Sequence, residues 1–231
     1  MIIIFDLDDT LYPEITFVKS GIREVSIFLS QEFNLSSSKL QNYMIDYLSK
    51  YGRSEMFNNV LSLHNLNKKH IVNKCLSIYR SHSPKIKLYQ DAISCLDLLK
   101  DYKKYLVTDG NVLVQRNKIE ALGIKKYFIQ TIPTYQYGVK YSKPSIYCFE
   151  LIRKKEFGIN PSCILYVGDN PHKDFVNIKA NGYRTIRVLT GAYKDVKLDN
   201  KFEAEFTINT LKDLTPEFIK NTENEDSKYR N

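Results

Sequence analysis

The sequence predicts an α/β fold: a parallel sheet with helices on both faces, interrupted after its first strand by an inserted block of helices. Three observations carry this. The chain opens on an apolar run, Ile2-Ile3-Ile4-Phe5, of the kind buried on both faces of a parallel sheet. From Tyr89 onward, short apolar runs alternate with helical periodicity, the pattern of right-handed βαβ units. Between the two, residues 13–84 carry helical periodicity and no strand-like run.

Taken in order, the first strand ends at Asp6-Leu7-Asp8-Asp9-Thr10. Ile15, Val18, Ile22, Val25, Phe28 and Leu29 then mark one face of a helix reaching Phe33. Ser38 and Gln41 match a capping box that opens a second helix toward Tyr51, and Gly52 ends it. Ser54 is a cap for a short third helix through Leu63, and residues 68–79 make a fourth before Pro84. The aromatics Phe17, Phe28, Tyr43, Tyr47 and Phe57 read as core of this block.

The second half reads as strands over residues 105–107, 128–132, 164–167, 185–189 and 204–208. Helices are expected over 91–99, 112–122, 145–157, 172–180 and 211–220, and a polar, frayed tail over 221–231. The expected domains are therefore 1–12 with 85–220, and 13–84.

Composition bounds the function. With 231 residues and 43% apolar content the chain can bury a good core. No apolar run approaches the roughly 18 residues a membrane span needs, and Met1 leads straight into a strand without a leader pattern. A cytoplasmic setting is expected. The four cysteines, at 75, 95, 148 and 163, are scattered, which argues against a zinc knuckle or a disulfide framework. The net charge of +8 is spread along the chain without a basic block, so a nucleic-acid partner is not expected. A mild positive field suits a phosphorylated substrate.

Polar groups recur where strands end: Asp6 and Asp8, Thr108 and Asp109, and Gly168-Asp169. Lys143 precedes a helix. Ligands of open α/β sheets bind at the carboxyl ends of the strands. Asp6 and Asp8, two apart, point the same way if the strand continues, so they suggest a metal site, an acid/base pair, or both. Each strand-end acid alone can equally be a turn residue or a helix cap.

Together these residues resemble the haloacid dehalogenase (HAD) superfamily, in the subfamily whose helical C1-type cap lies between the first two motifs. The first motif is met by Ile2-Ile3-Ile4-Phe5-Asp6-Leu7-Asp8-Asp9-Thr10, the second by Thr108, the third by Lys143-Pro144, and the fourth by Gly168-Asp169-Asn170-Pro171-His172-Lys173-Asp174. Asp109 departs from the pattern, since many relatives carry Asn there. The resemblance implies a Rossmann-like core, an all-helical cap that closes over the site, and a Mg2+-dependent phosphatase acting on a small phosphorylated metabolite, a sugar phosphate or a nucleoside monophosphate. It implies Asp6 as nucleophile and Asp8 as general acid/base. It implies Thr108, Lys143 and the backbone N–H of Asp109 as phosphate holders. The metal group it implies is Asp6, Asp169 and the backbone carbonyl of Asp8, with Asp174 expected to act through water or another residue. Lys140 and His172 read as surface residues, and Tyr12, Pro13 and Glu14 as a hinge. A phosphomutase, or a phosphate-sensing module without turnover, stands as the alternative.

Overall fold

The computed structural model describes residues 1–228, and of residues 223–228 the backbone alone. The chain forms two compact units, one of Met1–Glu14 with the chain from Lys87 onward, the other Ile15–Ile86.

The first unit is built on six strands: β1 (Ile2–Phe5), β2 (Lys103–Thr108), β3 (Gln130–Pro133), β4 (Ile164–Gly168), β5 (Arg184–Val188) and β6 (Phe206–Ile208). Their order across the sheet is β3-β2-β1-β4-β5-β6, and every pair is parallel. The predicted α/β sheet is thus present. The order reverses at β1: the chain builds outward through β2 and β3 on one side, then through β4, β5 and β6 on the other. Register aligns Phe5 with Leu106 and with Val167, so the polar residues beyond all three strands emerge side by side. Ile3, Ile4, Phe5, Leu106, Val107 and Val167 are fully buried, as strands covered on both faces require.

Helices α1 (Glu14–Phe33), α2 (Ser37–Tyr51), α3 (Met56–Ser62) and α4 (Lys69–Ser81) follow β1. Apart from Glu14 they make up the second unit. Its core joins Val18, Ile22, Val25 and Leu29 to Leu40, Met44, Phe57, Val60, Ile71 and Cys75. The helices α5 (Gln90–Leu98), α6 (Val112–Ala121), α7 (Tyr147–Lys155), α8 (Val176–Ala180) and α9 (Pro216–Lys228) belong to the sheet unit. Where the chain returns, the Tyr89 N–H donates to the Leu11 carbonyl at 2.9 Å, closing the neck of the insertion on the sheet side.

Several boundaries differ from the sequence reading, each for a local reason. Ser36, not Ser38, caps α2, accepting from the Lys39 N–H. Three consecutive serines leave the start ambiguous in sequence. Ser54 caps nothing; Glu55, in the left-handed region at φ 58°, precedes α3. Ile15 is exposed, because the inward stripe of α1 starts at Phe17 and Val18. Phe28, Tyr43 and Tyr47 are only partly buried. The helix expected from His172 starts at Val176, since the Asn170 side chain accepts from the His172 N–H and Asp174 turns back to accept from the Asn170 N–H. Residues 211–213 form a separate short turn capped by Thr210, and α9 continues to Lys228, into the stretch read as a frayed tail. The last three residues of that stretch lie outside the described residues.

The sheet depends on packing at its middle. Phe149 of α7 is fully buried and meets Tyr166 edge-on at 5.0 Å and Tyr183 at 5.8 Å. Phe149→Ala is expected to cost about 3–5 kcal/mol of stability, read as a lowered midpoint in urea melts at unchanged slope.

Candidate active site

The site is built where β1, β2 and β4 end. Extended backbone carries Asp6 one residue beyond β1, its N–H still bonded to the Val167 carbonyl at 2.9 Å. Asp169 stands one residue beyond β4, and Asp174 returns to the same place because the loop after it folds on itself. Asp174 Oδ2 accepts from the Asn170 N–H at 3.0 Å and Oδ1 from the Tyr166 hydroxyl at 3.0 Å. Gly168 makes room for this: a Cβ there would lie 2.5 Å from Asp174 Oδ2.

Asp6, Asp169 and Asp174 are all buried and offer carboxylate oxygens within 4.8 Å of one another. Lys143 enters from the loop before α7. Its Nζ donates to Asp6 Oδ1 at 2.7 Å and to the Tyr166 hydroxyl at 2.7 Å, and lies 2.8 Å from Asp174 Oδ1. Thr10 adds a hydroxyl to Asp169 Oδ1 at 3.2 Å. Three carboxylates thus face one ammonium. Burial pushes the Asp6 carboxyl up to about 7, with Asp174 and Asp8 adding to the rise and Lys143 opposing it. Burial, then the charges of Asp174, Asp6 and Asp9, raise Asp169 well above the ordinary range. Burial works against the Lys143 charge, but Asp174 and Asp6 outweigh it and hold the ammonium protonated. A cluster of oxygen donors carrying more negative charge than its cation neutralises fits a hard divalent ion.

Asp8 sits apart from this cluster. Its Oδ1 accepts from Lys118 Nζ at 2.7 Å and from the Tyr12 hydroxyl at 2.6 Å, and its Oδ2 from Gln115 Nε2 at 2.8 Å. Burial would raise it, yet the Lys118 charge and the hydrogen bonds of Lys118, Tyr12 and Gln115 prevail, and its carboxyl is lowered. Gln115 also donates to Thr108 Oγ1 at 3.1 Å and to the Asp109 carbonyl, tying the ends of β1 and β2 together.

The structure therefore brings Asp6, Lys143 and Asp169 into contact distance, with Thr108 joined to Asp8 through Gln115. Asp174, expected to act at one remove, lies inside the acidic cluster. The Asp109 side chain, without an expected role, has one: it accepts from Thr134 at 2.7 Å and the Lys143 N–H at 3.1 Å, and meets Lys173 Nζ at 3.2 Å. Burial opposes its charge, but Lys143, Lys173 and these bonds lower its carboxyl. It orients the Lys143 loop. Lys140 is exposed, and so is His172, whose ring meets Tyr193. Tyr12 and Glu14 do more than mark an exit: both contact the Asp8 network, Glu14 through Lys118 at 3.6 Å.

Sequence reasoning missed Gln115 and Lys118. Both are buried on α6, with Val114 and Ile119 beside them. The available signal was weak: a Gln and a Lys three apart, one helical turn, each next to an apolar residue, Val114 and Ile119.

A family model for haloacid dehalogenase-like hydrolases matches residues 1–182. A protein of Methanocaldococcus jannaschii named glyceraldehyde 3-phosphate phosphatase is 30% identical over 228 residues, spanning 95% of this chain and 96% of that one. A crystal structure described as a HAD phosphatase from Thermococcus onnurineus superposes with a TM-score of 0.58 at 25% identity, covering 92% of this chain and 95% of the other. A 2-haloacid dehalogenase from Pseudomonas syringae superposes with a TM-score of 0.66 at 19% identity, over 96% and 99% of the two chains, and speaks for the fold alone.

The raised carboxyls set a stability pattern. Asp6 and Asp169 hold protons more tightly folded than unfolded, so their contribution is full below the ordinary carboxyl range; that of Asp6 is lost as pH rises through about 7, and that of Asp169 as pH rises through its own raised range. A divalent ion takes the deprotonated form and reverses this loss. The rise in Tm on adding Mg2+ is expected to be larger at pH 8 than at pH 6. Thermal melts at both values check it, and a rise independent of pH counts against the cluster as the binding group.

Proposed function

Because this chain belongs to the haloacid dehalogenase-like hydrolase family, we propose that it is a Mg2+-dependent phosphatase that cleaves a small sugar phosphate through an aspartyl-phosphate on Asp6. The observation that carries this reading is the buried group of Asp6, Asp169 and Asp174 around Lys143 at the carboxyl edge of the sheet. Asp6, Asp169, Asp174 and the backbone carbonyl of Asp8 would hold the ion. When bound, it would keep Asp6 ionised and offset charge on the phosphoryl oxygens.

The chain's own residues then divide the work. Asp6 attacks phosphorus in line, and the bond from phosphorus to the leaving oxygen breaks as the new bond forms. Asp8 gives the leaving oxygen a proton, which it holds against the lowering effect of Lys118 and recovers from water in the second half of the reaction. In the second half a water attacks the aspartyl-phosphate, Asp8 takes the water's proton, and the bond to Asp6 breaks to release inorganic phosphate. Lys143, the Thr108 hydroxyl and the backbone N–H of Asp109 hold the phosphoryl oxygens. Lys143 offsets the charge that grows on them. An acid at position 8 supports phosphoryl chemistry over dehalogenation, because a leaving alkoxide needs a proton and a leaving halide does not.

The substrate class follows from the relatives, whose name makes a triose phosphate the first compound to try. No comparable support exists for a nucleoside monophosphate. A cytoplasmic setting belongs to the same proposal: all four cysteines are unpaired, as reducing compartments keep them. Among the described residues no helix is long and apolar enough to cross a membrane.

Phosphate release tests the reading. D-Glyceraldehyde 3-phosphate is expected to be hydrolysed faster than hexose phosphates or nucleoside monophosphates. EDTA should stop the reaction and added Mg2+ restore it, and Asp6→Asn should leave no turnover. Hydrolysis undiminished by chelation, or retained in Asp6→Asn, would falsify the mechanism. For Lys143→Ala, kcat/KM should fall on the order of 10²–10³-fold, and unchanged kinetics would remove Lys143 from the site.

A further inference from the structure

Lys118 is buried, its side chain 3% exposed, and its Nζ lies 2.7 Å from Asp8 Oδ1. Nothing in the reaction above uses it. Gln115, one turn earlier on α6, holds the other oxygen of Asp8 and also Thr108. Both oxygens of Asp8 are therefore committed to donors from α6 and Tyr12, while three other carboxylates share the neighbouring cluster without it. Asp6 and Asp8 lie two apart on one extended segment, so a free Asp8 carboxylate would turn toward the same cation-seeking group.

We propose that Lys118 and Gln115 are positioning residues that hold the Asp8 carboxylate out of the ion-binding cluster and present it to the leaving oxygen. This rests on the phosphatase reading and assigns a task to two residues outside the four motifs. The physical reason is a conflict of roles. A carboxylate that ligates an ion can neither deliver nor collect a proton efficiently. A fixed ammonium and a fixed amide engage both oxygens of Asp8, whereas Lys143 engages one oxygen of Asp6. Tyr12 alone does not suffice, because a phenol hydroxyl supplies a single neutral bond.

The test separates a positioning role from a merely structural one by the leaving group. A p-nitrophenolate departs without a proton, whereas an alkoxide needs one. The quantity read is kcat/KM, which covers the steps up to departure of the leaving group. Lys118→Met keeps the length of the side chain and removes its bonds. It should lower kcat/KM on glycerol 3-phosphate by about 10²-fold or more, with a far smaller loss on p-nitrophenyl phosphate. Lys118→Arg should recover part of the alkyl activity, and Gln115→Leu should show the same selectivity to a lesser degree. In an Asp8→Asn background Lys118→Met should add almost nothing. Equal losses on both substrates, or full additivity with Asp8→Asn, overturn the proposal while leaving the phosphatase reading intact.

Ion binding reads the same geometry without turnover. By titration calorimetry with Mg2+, Asp8→Asn should barely change Kd in the native chain. In the Lys118→Met background, where Asp8 is released toward the cluster, it should weaken Kd by about tenfold. An effect of Asp8→Asn that is identical in the two backgrounds overturns the proposal even if no substrate is turned over.

Discussion

The molecule turns on one electrostatic constraint: three carboxylates are buried together at the middle of a parallel sheet's carboxyl edge, with the Lys143 ammonium among them. Burying like charges in low dielectric is costly unless something neutralises them. Much of the surrounding structure answers that cost. Gly168 leaves space for Asp174, the Tyr166 hydroxyl bridges Lys143 and Asp174, and Thr10 donates to Asp169. The strand order does the rest, because only a reversal at β1 sets Asp6 beside the end of β4.

Two aspartates separated by one leucine meet opposite surroundings. Asp6 is raised by burial and by other acids, while Asp8 is lowered against burial by Lys118, Tyr12 and Gln115. Divergent environments for neighbouring carboxyls are a common way to give them different chemical tasks. Here the divergence comes from which element each side chain meets: the fourth strand's loop for Asp6, helix α6 for Asp8.

The sheet and the strand-end positions of Asp6 and Asp169 were legible in the sequence because they rest on short-range patterns, whereas the place of Asp174 inside the cluster was not. A run such as Ile2–Phe5 or Ile164–Val167 announces a strand, and the residue just after it is placed by that fact alone. Less could be read where a position depends on a distant partner. Lys118 and Gln115 look like ordinary helix residues until α6 is docked beside Asp8. Asp109 reads as an anomaly until Thr134, Lys173 and the Lys143 backbone surround it. Helix starts were misplaced where loops satisfy their own polar groups, as at Asn170 and Asp174, since side-chain bonds to backbone compete with helix formation.

The neck of the insertion has a consequence for how such a chain diversifies. Residue 11 and residue 89 are joined by one backbone hydrogen bond, and β1 pairs with β2 from Ile2 to Phe5 without help from anything between. The excursion over Ile15–Ile86 is a peninsula on the chain. Descendants can lengthen, trim or swap it without re-registering a single strand, and the reactive edge is inherited unchanged.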